Sequence, residues 1–319
     1  MCAQDPVSAG FPALCAARLA RRRFMVRVAG DYAWEQATQR YGVTDSIDDF
    51  QAKLYGARVE RLRRLQRFVV RHADLVITPS VYFQNLVRGW TPHPERVRVI
   101  YNGIELREVR PPETGTSIFG RSDLKKIIFS AGRLVPWKGF SILIEMMKDL
   151  PDWELRIAGS GPEREKLELG IMNYELRNRV KLLGAIPRER IFEELQKARV
   201  FALNTRFESF SYQVVEAMWA GVPVVTTNIG NLSEIIENGR EGILVAPNDK
   251  AGFLNALRRL EENPSFREEI IRNAREKAKQ FSVEKTVEKL LRAMKSVIPD
   301  LIGNPNRDKS TGFPPALLR

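Results

Sequence analysis

From Lys125 onward, short apolar runs alternate with longer segments in which apolar residues recur every three or four positions. The short runs are rich in Val, Ile, Leu and Phe without a clean polar alternation, as expected of strands that helices cover on both faces. Such an alternation of strands and helices indicates a parallel, doubly wound α/β sheet. The predicted strands are Lys126–Ala131, Trp153–Gly159, Val180–Leu183, Val200–Asn204, Val222–Thr226 and Gly242–Val245.

The segments between and after these strands have the apolar spacing of amphipathic helices. The pair Asn263-Pro264 separates two of them, because proline disfavours helical geometry in the residue before it. The predicted helices are Phe140–Leu150, Arg164–Leu176, Arg188–Ala198, Tyr212–Ala220, Leu232–Asn238, Gly252–Glu262, Ser265–Phe281 and Val283–Val297.

The first third of the chain has a less regular pattern, with predicted strands at Met25–Val28, Leu75–Thr78 and Val97–Tyr101. A stretch rich in Pro, Gly, Ser and Thr at 111–117 predicts a linker, and the pattern stops after Pro299, where a mobile tail is predicted. We therefore expect four units: an N-terminal α/β domain (1–113), a C-terminal α/β domain (114–282), a helix that packs back toward the first domain (283–299) and the tail (300–319).

Composition agrees with a globular protein of two domains: 319 residues, 44% of them hydrophobic and 28% charged. Disordered and fibrous classes are excluded for most of the chain. Its only cysteines, Cys2 and Cys15, form neither a disulfide framework nor a four-cysteine metal site, so a reducing, cytoplasmic setting is expected. No apolar run approaches the ~18 residues that would span a bilayer.

The net charge of +12 admits nucleic acid, an anionic membrane or a phosphorylated substrate as partner. Much of it lies in Arg58–Arg71, which predicts a basic amphipathic helix. This helix either covers the core and exposes its charged face to solvent, or contacts anionic lipid peripherally at the inner face of the plasma membrane. Nucleic acid is not expected, because the chain has no zinc spacing and no DNA-reading motif. The apolar side of the helix would be Val59, Leu62, Leu65, Phe68 and Val69.

Two carboxylates follow a predicted strand of the C-terminal domain. The strand ends near Asn204, Glu208 lies in the loop, and Glu216 lies on the helix that begins near Ser211 and ends at Gly221. In open α/β sheets, ligands bind at the carboxyl ends of the strands, and helix N-termini favour anions. Because carboxylates accept hydrogen bonds from hydroxyl groups, the pair suits a sugar or a ribose, although two such residues alone fit a solvated loop and helix as well.

Two cations follow the first strand of the same domain. Arg133 and Lys138 flank a turn, where they could neutralise a diphosphate without a metal ion. No Asp-x-Asp metal motif occurs at this position, so no metal is expected. Gly159, Gly161 and Pro162 form a strand-to-helix turn, which is either an ordinary turn or a place where the backbone approaches a nucleotide base.

Together these motifs resemble the Glu-x7-Glu retaining glycosyltransferases of family four (glycosyl transferases group 1), from Met1 to about Pro299. The resemblance implies a GT-B fold of two Rossmann-like doubly wound domains, the N-terminal one incomplete. It implies transfer of a sugar from a nucleotide-diphosphate sugar to a carbohydrate or lipid-linked acceptor hydroxyl with retention of configuration, in cell-surface polysaccharide or glycolipid synthesis. The nucleotide sugar is then a co-substrate, and no cofactor is expected.

By this resemblance, Arg133 and Lys138 stabilise the departing diphosphate, Glu208 binds the donor sugar and Glu216 the ribose, while the leaving phosphate helps to remove the acceptor proton. Asp31 and Trp34 are expected on the acceptor side, with a cap of the next helix as the alternative role of Asp31. The other donor-site residues implied are Gly132, Gly159, Gly161, Pro162, Ser209, Phe210, Ser211, Tyr212 and Glu234, with Ser211 where relatives often carry Gly.

The sequence departs from the family in its first domain. The opening β-α-β units with their Gly-rich loop are not found, and Ala29 stands where many relatives place a His that touches the donor sugar. These departures leave a second hypothesis, a truncated, non-catalytic nucleotide-sugar binding or regulatory subunit. A sugar phosphorylase of the same fold would need a pyridoxal-phosphate lysine motif, which the chain does not show.

Overall fold

The computed structural model describes residues 1–106 and 126–297. They form two parallel β-sheets, each with helices packed on it, which confirms the α/β fold class. The predicted linker at 111–117, the domain boundary at 113/114 and the predicted tail at 300–319 lie outside the described residues.

The N-terminal sheet has four parallel strands in the order β1-β2-β3-β4. Three of them match the predicted strands to within two residues, whereas β1 was not predicted because its two residues carry no recognisable pattern. The strands are β1 (Cys2–Ala3), β2 (Met25–Arg27), β3 (Leu75–Thr78) and β4 (Val97–Val99). The helices are α1 (Gly10–Leu19), α2 (Tyr32–Arg40), α3 (Ile47–Ala52), α4 (Ala57–Arg71) and α5 (Val81–Arg88).

The C-terminal sheet has six parallel strands in the order β10-β9-β8-β5-β6-β7. The chain runs outward from β5 to β7 and then returns to β8 on the other side of β5. This reversal creates a switch point between β5 and β8, where ligands bind in open α/β sheets. The strands are β5 (Lys126–Ala131), β6 (Trp153–Ala158), β7 (Val180–Gly184), β8 (Val200–Leu203), β9 (Val224–Thr227) and β10 (Ile243–Val245).

Each helix of this domain begins within two residues of the predicted one, and four of them end three or four residues earlier than predicted. The predicted helix Leu232–Asn238 is three residues too long, because Asn238 and Gly239 form a turn in which the Asn238 side chain accepts a bond from Leu244 N–H. The helices are α6 (Phe140–Met146), α7 (Arg164–Asn173), α8 (Arg188–Lys197), α9 (Tyr212–Ala220), α10 (Leu232–Ile235), α11 (Lys250–Glu262), α12 (Pro264–Ala278) and α13 (Val283–Val297).

The central strands are apolar on both faces because each face meets a separate core. In β5, Phe129 packs with Phe201 in one hydrophobic cluster, while the neighbouring Ile128 packs with Val200 in the other. All four side chains are fully buried. This two-sided burial explains why these segments lack the alternation of apolar and polar residues found in half-exposed strands.

Helix α4 confirms the basic amphipathic helix but corrects its faces. Arg63 is buried, and its guanidinium donates to the backbone carbonyls of Phe50, Gln51 and Lys53. Phe68, expected on the apolar side, is 45% exposed. A buried arginine is stable here because its N–H groups are bonded to carbonyls at the C-terminal end of α3.

Two sets of contacts join the N-terminal sheet to the rest of the chain. The Trp34 ring on α2 packs against Trp137 and Phe207, with ring centroids 5.1 and 4.9 Å away, respectively. Helix α13 follows the C-terminal domain, yet its Leu290 and Met294 pack on an apolar patch of the N-terminal domain. These contacts join the two domains through α2 and α13.

Candidate active site

The loop after β5 carries both predicted cations. After Arg133, residues Pro136–Lys138 form a 3₁₀ turn that ends at Gly139 in the left-handed conformation. A Cβ on Gly139 would lie 2.1 Å from the Asn204 carbonyl oxygen, so this position requires glycine. The tight turn directs the Lys138 side chain back toward Gly132 at the end of β5.

The glycine turn after β6 lies directly against this loop. A Cβ on Gly159 would be 1.8 Å from the Gly132 carbonyl oxygen, and one on Gly161 would be 2.3 Å from that of Leu134. Leu134 N–H donates to the Ser160 carbonyl over 2.8 Å. The two loops therefore form one backbone surface at the carboxyl ends of β5 and β6.

The loop after β8 brings the first predicted carboxylate to the cations. Glu208 is buried and forms an ion pair with Lys138 across 70 residues of sequence. Burial raises the pKa of Glu208, and the Lys138 ammonium opposes that rise. Arg206 N–H and the Thr205 hydroxyl both donate to the Trp137 carbonyl, which fixes this loop to the turn that carries Lys138.

A cavity of about 470 Å³ lies at the ends of β5 and β6 and the start of α9, and Gly132, next to Lys138, is part of its lining. Its volume suits a small organic ligand. Five predicted donor-site residues line it, whereas Gly161 and Pro162 lie in the turn next to it. The five are Gly132, Arg133, Gly159, Tyr212 and Glu216. A larger recess of about 540 Å³ between α7 and β7 contains none of the predicted site residues.

The segment from Ser209 to Tyr212 contributes differently from residue to residue. The ring of Phe210 is buried against Tyr101, Tyr212 and Phe281, so it packs in the core and its backbone alone can reach a ligand. The Ser211 hydroxyl is buried at the start of α9 and has no hydrogen-bond partner among the described residues.

Arg188, which the sequence did not suggest, is also part of this cavity. Its Nε donates to Glu216 Oε1 over 3.2 Å, and its guanidinium lies 5.5 Å from the Phe192 ring centre. Burial raises the pKa of Glu216, and Arg188 opposes the rise. The one available signal was a cation at the first residue of α8, where the helix dipole disfavours positive charge.

The two residues expected on the acceptor side are buried and make contacts within the protein. Asp31 is fully buried: it caps α2 through Trp34 N–H and accepts bonds from Gln66 and Gln51. Trp34 is 3% exposed within the aromatic packing described above, and its indole N–H donates to the Asp45 carbonyl. Both side chains are thus buried and bonded within the N-terminal domain, and an acceptor-side role for them stays a prediction.

Glu234 does not line the cavity and bonds to the N-terminal domain. Its carboxylate accepts the backbone N–H groups of Val81 and Tyr82, at 2.9 and 2.6 Å, and the hydroxyl of Tyr101 at 2.8 Å. It therefore caps helix α5 of the other domain, where a carboxylate stabilises unpaired N–H groups. A donor-site role for Glu234 stays a prediction, and the sequence did not indicate these partners because they lie far away in the chain.

Comparison with known protein families gives two matches that agree with this geometry. Residues 117–277 match the family described as glycosyl transferases group 1, and residues 1–103 match the glycosyl transferase 4-like domain. The chain belongs to the glycosyl transferases group 1 family. This confirms the resemblance found in the Glu208 and Glu216 motif.

Curated relatives of this family member include a D-inositol 3-phosphate glycosyltransferase of Nocardioides sp., 29% identical over 245 residues, which are 70% of this chain and 54% of that protein. A glycogen synthase of Mycobacterium tuberculosis is 27% identical over 230 residues, again 70% of this chain and 54% of the relative. The chain thus spans about half the length of the curated relatives it matches.

Solved structures show the same GT-B fold. HepE of Anabaena in complex with UDP and glucose superposes with a TM-score of 0.73 at 23% identity, covering 89% of this chain and 74% of HepE. The sucrose-phosphate synthase of Thermosynechococcus elongatus gives a TM-score of 0.73 at 22% identity, covering 89% of this chain and 71% of the synthase.

Proposed function

We propose that this chain transfers a sugar from a nucleotide-diphosphate sugar to an acceptor hydroxyl with retention of configuration, without a metal or cofactor. The observation that carries this proposal is that Arg133 and Glu216 line one cavity at the carboxyl ends of β5 and β6. The Lys138–Glu208 ion pair lies next to it, because Lys138 Nζ approaches Gly132 in the cavity lining. Such a donor carries a diphosphate, which two cations can bind, and hydroxyl groups, which can donate hydrogen bonds to two carboxylates.

Each side chain has a defined task in this reaction. Arg133 and Lys138 stabilise the negative charge that develops on the leaving diphosphate, which is electrostatic catalysis. Glu216 accepts hydrogen bonds from ribose hydroxyls, and Glu208, beside Lys138, holds the sugar so that the acceptor attacks from the face of the leaving group. The leaving phosphate receives the acceptor proton.

Calorimetric titration with UDP-, GDP- and ADP-sugars tests the donor site. UDP-glucose comes first, because the HepE crystal contains UDP and glucose. We expect one nucleotide class to bind, and Arg133→Ala and Glu216→Ala each to weaken that binding about 30-fold or more, as for loss of a charge-assisted hydrogen bond. Arg272→Ala, an exposed arginine on α12, is the matched control. Wild-type affinity in the Arg133 variant would refute the assignment.

A nucleotide-sugar binding or regulatory subunit is the second candidate. The burial of Asp31 and Trp34 favours this second candidate, because buried side chains leave the acceptor side without the two expected contacts. Incubation of the folded chain with the bound nucleotide sugar distinguishes the two functions. Release of nucleotide with the sugar passed to water or to an added acceptor supports the enzyme, whereas binding without turnover supports the subunit.

We also propose that the acceptor is lipid-linked and that the protein contacts an anionic membrane through α1 and α4. No helix among residues 1–106 and 126–297 is long and apolar enough to cross a bilayer. An exposed aromatic pair, Phe11 and Phe68, has ring centroids 6.4 Å apart and lies among exposed arginines. Exposed apolar and cationic groups together fit the interface of anionic lipids. The arginines are Arg18, Arg21, Arg22, Arg61, Arg64 and Arg71.

Vesicle co-sedimentation checks this contact. Arg64→Gln combined with Arg71→Gln should weaken binding to phosphatidylglycerol vesicles about 25-fold, at roughly 1 kcal/mol for each arginine. The exposed pair Arg258→Gln and Arg272→Gln, on α11 and α12, is the control. Equal binding to neutral phosphatidylcholine vesicles, or no difference between the two double variants, would contradict a specific anionic surface.

A further inference from the structure

Helix α2 of the N-terminal domain presents two side chains to the cation of the donor cavity. Glu35 and Gln39 are four residues apart and therefore lie on one face of the helix. Arg133 Nη2 donates to Gln39 Oε1 over 3.5 Å, and Arg133 also acts electrostatically on Glu35. The guanidinium of Arg133, which we assign to the donor diphosphate, thus lies near α2 of the N-terminal domain.

Glu35 differs from the other carboxylates of this region in its bonding. It is half-buried, and no described residue donates a hydrogen bond to it, whereas Asp31 one turn earlier is fully bonded. Its Oε1 lies close to Gly30, where an added Cβ would come within 2.5 Å of it. Lack of a side chain at Gly30 is therefore what makes room for this carboxyl group.

The charges around Glu35 come from three elements. On α2, Asp31 repels it; from the loop after β5, Arg133 attracts it; Arg63 and Arg67 of α4 face Asp31. Burial, with a smaller contribution from Asp31, raises the pKa of Glu35 to about 7, against the pull of Arg133. The pKa of Glu35 is therefore expected to change when another charged group pairs with Arg133.

We propose that Glu35 takes up a proton from solvent when the donor diphosphate binds to Arg133. Gln39 accepts a bond from the guanidinium, and Glu35 lies one turn before Gln39 on the same face of α2. A bound diphosphate pairs with Arg133 and adds negative charge, so an ionised Glu35 would be repelled and becomes neutral instead. This inference rests on the proposed function, because it needs a diphosphate at Arg133.

The direction of the pH effect follows from linkage. Glu35 is mostly neutral below about pH 7, so donor affinity is independent of pH there. Above that pH, Glu35 must gain a proton on binding, and the affinity falls by up to about tenfold per pH unit until the pKa of the bound state is reached. A glutamine at this position imitates the neutral carboxyl and removes the slope.

Calorimetry with UDP-glucose measures the proton directly. At pH 7.5 to 8.5, titrations in two buffers with different ionisation enthalpies give the number of protons taken up from the difference in observed heat. A terminal phosphate monoester titrates near pH 6 and would add protons of its own to the measurement. A nucleotide sugar has no such group, because its diphosphate is esterified at both ends. Glu35→Gln is compared with Glu269→Gln, an exposed glutamate on α12, and GDP- and ADP-sugars replace UDP-glucose if they are the class that binds.

We expect wild type and Glu269→Gln to take up between half a proton and one proton, and Glu35→Gln to take up none. At pH 8.5 the Glu35→Gln variant should bind the donor about tenfold more tightly than wild type, and at pH 6 equally well. Binding by wild type without proton uptake, or a pH slope retained in Glu35→Gln, would overturn the inference. Failure of every nucleotide sugar to bind the folded wild type would instead refute the proposed function.

Discussion

Replacing Lys138 by alanine is expected to reduce sugar transfer by about 10³-fold, or roughly 4 kcal/mol of transition-state stabilisation. The ammonium group lies next to Gly132 and forms an ion pair with buried Glu208. Its loss removes a positive charge from the site of the leaving diphosphate. The rate of nucleotide release from the donor at saturating concentration measures the effect.

The same substitution leaves Glu208 buried without its partner, and breaking a buried ion pair costs about 3–5 kcal/mol of folding stability. A second variant tests whether instability alone accounts for the lost activity. Lys138→Ala combined with Glu208→Gln removes the uncompensated charge, so its thermal stability should recover while its activity stays low. Lys166→Ala, on the exposed side of α7, is the control. Recovery of activity together with stability would contradict a role for Lys138 at the diphosphate.

Replacing Gly159 by alanine should abolish donor binding and lower the free energy of unfolding by about 3 kcal/mol. The added Cβ would lie 1.8 Å from the Gly132 carbonyl oxygen, and the backbone has a φ of +146°. Both loops that line the cavity would have to move apart. Thermal unfolding, with a midpoint lowered by about 8 °C, and calorimetry with UDP-glucose check the two effects.

Gly170 provides a matched control for this prediction. It lies in α7, and no atom beyond its own helix backbone and chain neighbours would come within 4 Å of an added Cβ. Gly170→Ala should therefore raise the free energy of unfolding by about 1 kcal/mol, because alanine is the better helix former, and leave donor binding unchanged. If both glycine variants lose binding, the close contact at Gly132 is not the cause.

The fold was predictable because its signals are local. Strand β5 was placed to the residue, and α9 matched its predicted bounds, since two-sided burial and the glycine after the helix are visible in a few consecutive residues. One omission had a local cause too, since strand β1 is too short to show a period. The cap that Asp31 forms on α2 was one of the two roles that the sequence allowed for it, whereas the aromatic packing that buries Trp34 involves residues far away in the chain.

The sequence by itself determined the order of the elements, the family and the motif residues Arg133, Lys138, Glu208 and Glu216. Only the tertiary structure decided their partners: Lys138 with Glu208, Arg188 with Glu216, Glu234 on the start of α5, and Arg133 opposite Glu35 and Gln39. These groups are separated by 28 to 153 residues along the chain. The physical reason is that periodicity is set by neighbouring residues, whereas ion pairing and burial depend on which distant segments fold against each other.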